Sequence, residues 1–153
     1  MKRYRFIFLF LFSFVVIIGT SCKSKDKVVQ SENDVDAARN FIRAALDGKF
    51  DEAKAMLLVD SSNVHYLSNA QRVYNTLSAE RAYEFRSASI HIHNVSKQND
   101  STTVVIYSNS LMNDHDTLKV IKKNDQWLID LKFLYQHDED TTRSMPVIKD
   151  SIQ

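Results

Sequence analysis

The sequence predicts an α+β domain in which N-terminal helices pack on a curved four-stranded antiparallel meander. Two observations predict this class. Between residues 34 and 85, apolar residues recur every three or four positions, which places them on one face of a helix. Between residues 86 and 134 the period becomes two, as in strands with one buried face, and the dipeptide Asn-Asp interrupts the pattern three times.

Three helices are predicted in the first half of the chain. The first ends at Gly48, and its apolar positions are Val35, Ala38, Phe41, Ile42, Ala45 and Leu46. The second covers 50–58 and ends at the polar break 60–63. The third covers 69–85, and its inward positions are Val73, Tyr74, Leu77, Ala82 and Tyr83.

Four strands are predicted in the second half, at 86–97, 102–112, 115–123 and 126–134. The three joints between them are Asn99-Asp100, Asn113-Asp114 and Asn124-Asp125. Asn and Asp tolerate the left-handed backbone conformation that two-residue hairpin turns require. The sequence therefore predicts a meander of three tight hairpins.

Such turns fix the strand register and therefore the two faces of the sheet. The first pairs Gln98 with Ser101 and hence Ile92 with Tyr107. The second pairs Tyr107 with Val120, and the third pairs Val120 with Ile129 and Lys119 with Asp130. The predicted inner face carries Ile90, Ile92, Val105, Tyr107, Leu118, Val120, Trp127, Ile129 and Leu131. The predicted outer face carries His91, His93, Ile106, Ser108, Lys119, Ile121, Leu128 and Asp130.

The first residues have the pattern of a secretory signal. Lys2, Arg3 and Arg5 precede the apolar run 6–18, which is too short for a spanning helix and fits the core of a signal peptide. The small residues 19–21 follow, and then the only cysteine of the chain, Cys22. A lone cysteine excludes an internal disulfide.

The stretch Ile18-Gly19-Thr20-Ser21-Cys22 resembles the lipobox of bacterial lipoproteins. It departs from the commonest form, which has Leu three residues before the cysteine and Gly or Ala directly before it. The resemblance implies that 1–21 is a signal peptide, that Cys22 is lipidated, and that 22–33 is a flexible tether. Two or more acyl chains anchor a protein stably. The expected location is the outer membrane, with a lipid anchor and the domain facing the periplasm. The alternatives are a plain secretory peptide cut nearby and an uncleaved anchor with an incidental cysteine.

The charge of the chain argues against a nucleic-acid partner. Removal of 1–21 takes away three basic side chains and no acidic one, so 17 basic and 19 acidic side chains remain. A formal charge of about −2 lacks the basic surface that nucleic acids require.

Two segments carry a resemblance to a known fold: the helix-turn-helix opening "AARNFIRAALDGKFDEAKAMLL" and the closing strand "NDQWLIDLKF". Helices followed by a bent meander resemble the nuclear-transport-factor-2-like fold, and the chain is similar to small bacterial envelope lipoproteins with such a domain. The resemblance covers 34–134, and 135–153 is expected to be a polar, disordered tail. Proteins of this superfamily include isomerases, dehydratases, binding subunits and transport factors, so the fold alone does not give the function.

Tyr107 and Asn109 are the only polar residues well inside the predicted inner face. We expect them to orient a small ligand in an otherwise apolar pocket, without a cofactor. That face carries no Asp, Glu or His at mid-strand, which favours a non-enzymatic domain that binds an apolar ligand or a partner protein. The alternative is an isomerase- or hydratase-like enzyme that uses Tyr107 with an acid such as Asp60.

The predicted outer face offers a surface for association. By the register, His93, Ile106, Ile121 and Leu128 form an apolar row, which indicates a homodimer interface; packing of the tail against this face is the alternative. His91 and His93 project from the same face, but a metal site would need a third ligand, and none is evident in the register.

Overall fold

The computed structural model of the chain describes residues 31–112 and 114–136. The helices are α1 (Asp34–Leu46), α2 (Phe50–Ala55), α3 (Ser61–Tyr74), α4 (Ala79–Ser87) and α5 (Lys132–Gln136). The strands are β1 (Ile90–Asn99), β2 (Thr102–Asn109), β3 (Asp116–Lys123) and β4 (Gln126–Asp130). They form one antiparallel sheet in the order β1-β2-β3-β4. The α+β class, with helices before a four-stranded antiparallel meander, is confirmed.

Local side chains determine where α1 begins and ends. The Asn33 side chain accepts a hydrogen bond from the Asp36 amide, which caps the helix, and Asp34 and Asp36 place negative charge at its positive end. The helix stops at Gly48, whose φ of +76° favours glycine. Phe41 and Ile42 on its inward face are buried in the core.

The predicted third helix is wrong in extent, because the structure has two helices in its place. Asp60 accepts a hydrogen bond from the Asn63 amide at 2.9 Å, so the segment predicted as a break starts α3 instead. Ser78 caps α4 in the same way. Val73 and Tyr83, predicted to face inward, are 60% and 66% exposed.

The third hairpin is confirmed in register and in turn chemistry. Val120 pairs with Ile129 and Lys119 pairs with Asp130, as predicted. Asn124 and Asp125 have φ of 51° and 59°, as the two central residues of a type I′ turn require.

The first hairpin reaches the predicted register by another route. Ile92 does pair with Tyr107, but Asn99 pairs with Thr102, so the predicted pairing of Gln98 with Ser101 is wrong. The Asn99 side chain accepts a hydrogen bond from the Ser101 amide at 2.9 Å, which holds the turn one residue further along the chain. Two register shifts in β1 then restore the predicted pairing.

The second hairpin is wrong in register by four residues. Tyr107 pairs with Asp116 rather than Val120, and residues 110–115 connect the strands in place of a two-residue turn. Asn109 ends β2 early, because its side chain accepts hydrogen bonds from the amides of Leu111 and Met112. A shift of four residues keeps each side chain on its predicted face.

The predicted inner face is therefore confirmed as the core face of the sheet. The following members are buried: Val105, Tyr107, Leu118, Val120, Ile129 and Leu131. Ile90, Ile92 and Trp127 are partly buried and pack against them. On this face α1 packs across β3 and β4.

The edge of β4 is covered by the chain that follows α2. Leu57 pairs in parallel with Ile129, and the Leu58 amide donates to the Ile129 carbonyl at 2.8 Å. Such cover removes an exposed strand edge. Beyond Asp130 the chain turns into α5, so the predicted continuation of the strand to residue 134 is wrong.

Candidate ligand cavity

A cavity of about 370 Å³ lies between α1, α3, α4 and β2. Its apolar lining consists of Phe41, Ile42, Ala45, Leu46, Phe50, Ala70, Val73, Leu77, Phe85 and Met112. Its polar lining consists of Asn69, Tyr74, Tyr107 and Asn109. Both residues that the sequence singled out for ligand contact, Tyr107 and Asn109, are among them.

The lining differs between the deep end and the opening. Tyr107 and Asn109 are 9% and 6% exposed, and we call these two residues of β2 the floor. Val73 and Met112 are 60% and 44% exposed, and we call them the rim. The buried part of the lining thus holds these two polar side chains of β2 beside apolar ones, and Val73 and Met112 are at its exposed part.

Three aromatic rings form one wall of the cavity. The Tyr74 ring meets Phe50 edge to face at 5.5 Å and Phe85 edge to face at 6.1 Å. Such arrangements stabilise aromatic pairs beyond the area that they bury. The wall thus joins three helices, since Phe50 lies on α2, Tyr74 on α3 and Phe85 on α4.

The Asn109 side chain is fixed by the turn that it closes. Its Oδ1 accepts hydrogen bonds from the amides of Leu111 and Met112, both at 3.0 Å. These bonds identify the oxygen end of the amide, so the Nδ2 end is the one that can donate to another group.

α4 is anchored by Arg43, which lies on α1. The Arg43 guanidinium donates to the carbonyls of Arg86, at 2.8 Å, and Ala88, at the C-terminal end of α4. It also pairs with Asp47 at 3.2 Å. α4 itself buries none of its residues, so this contact and the aromatic wall hold it over the cavity.

Asp60, the acid considered for an enzymatic alternative, lies outside the cavity lining. Its Oδ2 lies 2.7 Å from the Lys132 Nζ and its Oδ1 caps α3. The hydrogen bond from Lys132 and the Asn63 amide lower the pKa of Asp60, and the same bond raises the pKa of Lys132. Asp60 is therefore an ionised structural contact between α3 and α5.

Asn63, on α3, adds a second polar contact beside the ion pair of Asp60 and Lys132. Its fully buried side chain donates to the Leu58 carbonyl at 2.9 Å and accepts from the Leu131 amide at 2.8 Å. Asn63 lies in the segment 60–63 that the sequence predicts as a break, so its role is not predicted. The available signal was Asp60, a residue type that caps helices, three positions before it.

The histidines of the outer face pair with neighbours. The His93 Nε2 lies 2.7 Å from the Ser108 Oγ, and the His93 ring contacts the His115 ring at 4.2 Å between centroids. His91 is exposed on the same strand. Within the part of the chain that the structure describes, no three His, Cys, Asp or Glu side chains come together in a way that could hold a metal ion.

The predicted apolar row on the outer face is not continuous, because of the shift in the second hairpin. Ile121 lies opposite Leu128, as predicted, whereas Ile106 lies opposite Thr117. All three apolar residues are half-buried in the single chain, and His93 is exposed. The interface itself stays a prediction.

The wall and the rim were not recognised from the sequence as one site. Helical periodicity predicts that Val73 and Tyr74 face the core, and it gives no separate role to Phe50 or Phe85. Their convergence depends on how α3 and α4 lie against α1, which no local pattern reports. Cys22 and the segment 1–30 lie outside the described residues, as does 137–153.

Within residues 31–112 and 114–136, the helices are all too short or too polar to cross a membrane. Comparison with protein-family models, with curated proteins and with solved structures finds no match to this chain.

Proposed function

We propose that the chain is a membrane-tethered envelope lipoprotein whose domain binds a small apolar ligand in the cavity between its helices and β2. The observation that carries this proposal is the cavity itself. Its volume of about 370 Å³ falls in the range of small-molecule sites, and it combines an apolar lining with a few buried polar groups.

The architecture supports a nuclear-transport-factor-2-like domain as the framework of this function. Helices precede a four-stranded meander, and the cavity lies between the helices and β2. Residues 34–134 would form this domain.

The tether of the proposal is a lipid at Cys22. The sequence around this residue supports it, with a short apolar run, small residues and one cysteine. A domain held at the outer membrane would meet apolar molecules at high local concentration, which suits a site of this lining. The proposal places the domain on the periplasmic side.

The lining favours binding over the isomerase- or hydratase-like alternative. Among the described residues that line the cavity there is no Asp, Glu, His or Lys to move a proton. Asp60, the acid of that alternative, is engaged with Lys132.

Native mass spectrometry of the mature protein, released from its own envelope in mild detergent, tests the proposal. We expect the native mass to exceed the denatured mass by that of one small molecule, because denaturation keeps a covalent lipid and releases a ligand. Equal masses would contradict ligand binding. A doubled mass would support association through the outer face, of which Ile121 and Leu128 remain adjacent.

The tether is tested separately by Cys22→Ser. We expect this variant to lose incorporation of labelled palmitate and to leave the membrane fraction, because the acyl chains supply the anchor. Ser21→Ala, one residue earlier, is the matched control and should keep both. Unchanged membrane association of Cys22→Ser would contradict lipidation at this residue.

A further inference from the structure

We infer that the ligand is an uncharged molecule whose hydrogen-bond acceptor lies against Asn109 Nδ2 at the floor and whose apolar part extends to the rim. This inference rests on the proposed function and names the class of ligand. It depends on three features of the cavity: the charge of its lining, the free end of Asn109, and the difference between floor and rim.

The absence of charge in the lining selects against an ionised ligand. The described residues that surround the cavity include no Lys, Arg, Asp or Glu. An ionised carboxylate or ammonium is strongly disfavoured in an apolar site unless a partner of opposite charge is present. A ligand that reaches the buried floor must therefore be neutral there.

The floor offers a hydrogen-bond donor to such a ligand. The Asn109 Oδ1 already accepts two amide hydrogens, so the side chain cannot turn its oxygen towards the cavity without losing both. Among the described residues, the Asn109 Nδ2 has no hydrogen-bond partner within the protein. This atom is accessible, since no side-chain nitrogen or oxygen of the described residues is both buried and unpaired, and a carbonyl or ether oxygen of the ligand would accept from it in place of water.

The rim sets the direction in which the ligand lies. Val73 and Met112 are exposed and apolar, whereas Tyr107 and Asn109 are buried and polar. An amphiphile whose polar end contacts Asn109 therefore has its apolar part towards Val73 and Met112.

A matched series of ligands tests the inference on the unaltered full-length protein. The neutral fluorophore N-phenylnaphthylamine reports occupancy, and decanamide, decanoate, decylamine and decane compete with it. Decanamide and decanoate share one shape and differ in charge and in donor capacity. We expect decanamide to displace the fluorophore about tenfold more effectively than decanoate or decylamine, and more effectively than decane.

Asn109→Asp tests the contact at the floor. Aspartate keeps an oxygen for the amides of Leu111 and Met112 but replaces Nδ2 by a second oxygen, so the affinity for decanamide should fall about tenfold. Asn99→Asp is the matched control. The Asn99 Oδ1 also accepts an amide hydrogen two residues on, but Asn99 is exposed and lies outside the cavity. The affinity of Asn99→Asp for decanamide should equal that of the unaltered protein.

The outcomes separate the inference from the proposed function. If the fluorophore binds but decanoate competes as well as decanamide, or if folded Asn109→Asp binds decanamide normally, the inference is overturned and the apolar site stands. If no neutral compound binds, both are overturned. Should Asn109→Asp fail to fold, the competition series on the unaltered protein decides alone.

Discussion

At the scale of single residues, Gly48 leaves little room for a side chain. Its φ is +76°, and a Cβ built on it would lie 2.5 Å from the Tyr74 Cε1. Gly48→Ala should therefore lower the free energy of unfolding by about 2 kcal/mol, through both backbone strain and the displacement of Tyr74. Urea denaturation measures this loss.

A double-mutant cycle with Tyr74→Ala separates the two causes. If contact with the ring contributes, the loss caused by Gly48→Ala should be smaller in the Tyr74→Ala background than in the unaltered protein. Equal losses in the two backgrounds would leave only the backbone contribution and contradict the steric part of the argument.

The two-residue turn at Asn124-Asp125 gives a prediction of the opposite sign. Asp125 has φ of 59°, a conformation that glycine adopts without strain. Its ion pair with Lys122 spans 3.5 Å and the Asp125 side chain is 96% exposed, so little is lost with it. Asp125→Gly should raise the free energy of unfolding by about 0.5 kcal/mol, measured by urea denaturation.

Asp100→Gly is the control for this turn. Asp100 follows an Asn in the first hairpin, but it is not among the described residues with positive φ. Glycine there only increases the freedom of the unfolded chain, so stability should fall. A gain in both variants would show that the sign of φ is not the cause.

At the scale of elements, the faces of the sheet were predictable and the pairings were not. The alternation of apolar residues in β2, β3 and β4 predicted the core face of the sheet, and the error of four residues in the second hairpin cannot reverse it. In β1, two register shifts contain an offset of one residue between Asn94 and Lys97. The register failed where an Asn side chain captured nearby amides. Asn99 and Asn109 each close a turn through Oδ1. Asn99 begins the first Asn-Asp dipeptide but places the turn one residue later, and Asn109 lies four residues before the second dipeptide.

The candidate site was predictable only on its sheet side. Tyr107 and Asn109 followed from strand alternation, because they were polar positions on an apolar face. The helical wall could not be predicted, because the break at 75–78 turns α4 away from the line of α3. Phe85 then meets Tyr74 through a packing of separate helices.

The ion pair between Asp60, at the start of α3, and Lys132, on α5, predicts that stability depends on pH in the acid range. The pKa of Asp60 lies below its usual 3.8 in the folded chain, so its stabilisation is present at higher pH and is lost as pH falls through the folded value. Asp60→Asn keeps an N-cap acceptor but loses the charge. Its deficit in free energy of unfolding should therefore be largest near neutral pH and shrink below pH 3.8.

The ion pair of Asp60 with Lys132 also persists at high pH. Its pKa is raised above 10.5, so the pair persists until the pH exceeds that value. Glu84→Gln, which removes a carboxylate from the exposed pair with Arg81, is the control and should produce a much smaller deficit. A deficit of Asp60→Asn that is constant from neutral to acid pH would contradict the assigned role.

At the scale of the whole molecule, the fold separates a well-buried layer from a less buried one. The sheet, α1 and the segment after α2 share the buried core and backbone pairings at both edges of β4. α4 buries no residue and depends on Arg43 and the aromatic wall. The cavity lies between these layers, so its occupancy should couple to the order of α4 rather than to that of the sheet.

A cavity-filling substitution tests whether this space is used. Ala45 lies on α1 and lines the cavity, so Ala45→Leu adds apolar volume inside it without a polar change. We expect the free energy of unfolding to stay within about 1 kcal/mol of the unaltered protein, since the added methyl groups enter existing space. The dissociation constant of N-phenylnaphthylamine should rise at least about tenfold, measured by fluorescence titration.

Ala55→Leu, at an exposed position on α2, is the control and should leave the titration unchanged. Normal fluorophore binding by a stably folded Ala45→Leu would place the ligand elsewhere and remove the cavity from the proposed function.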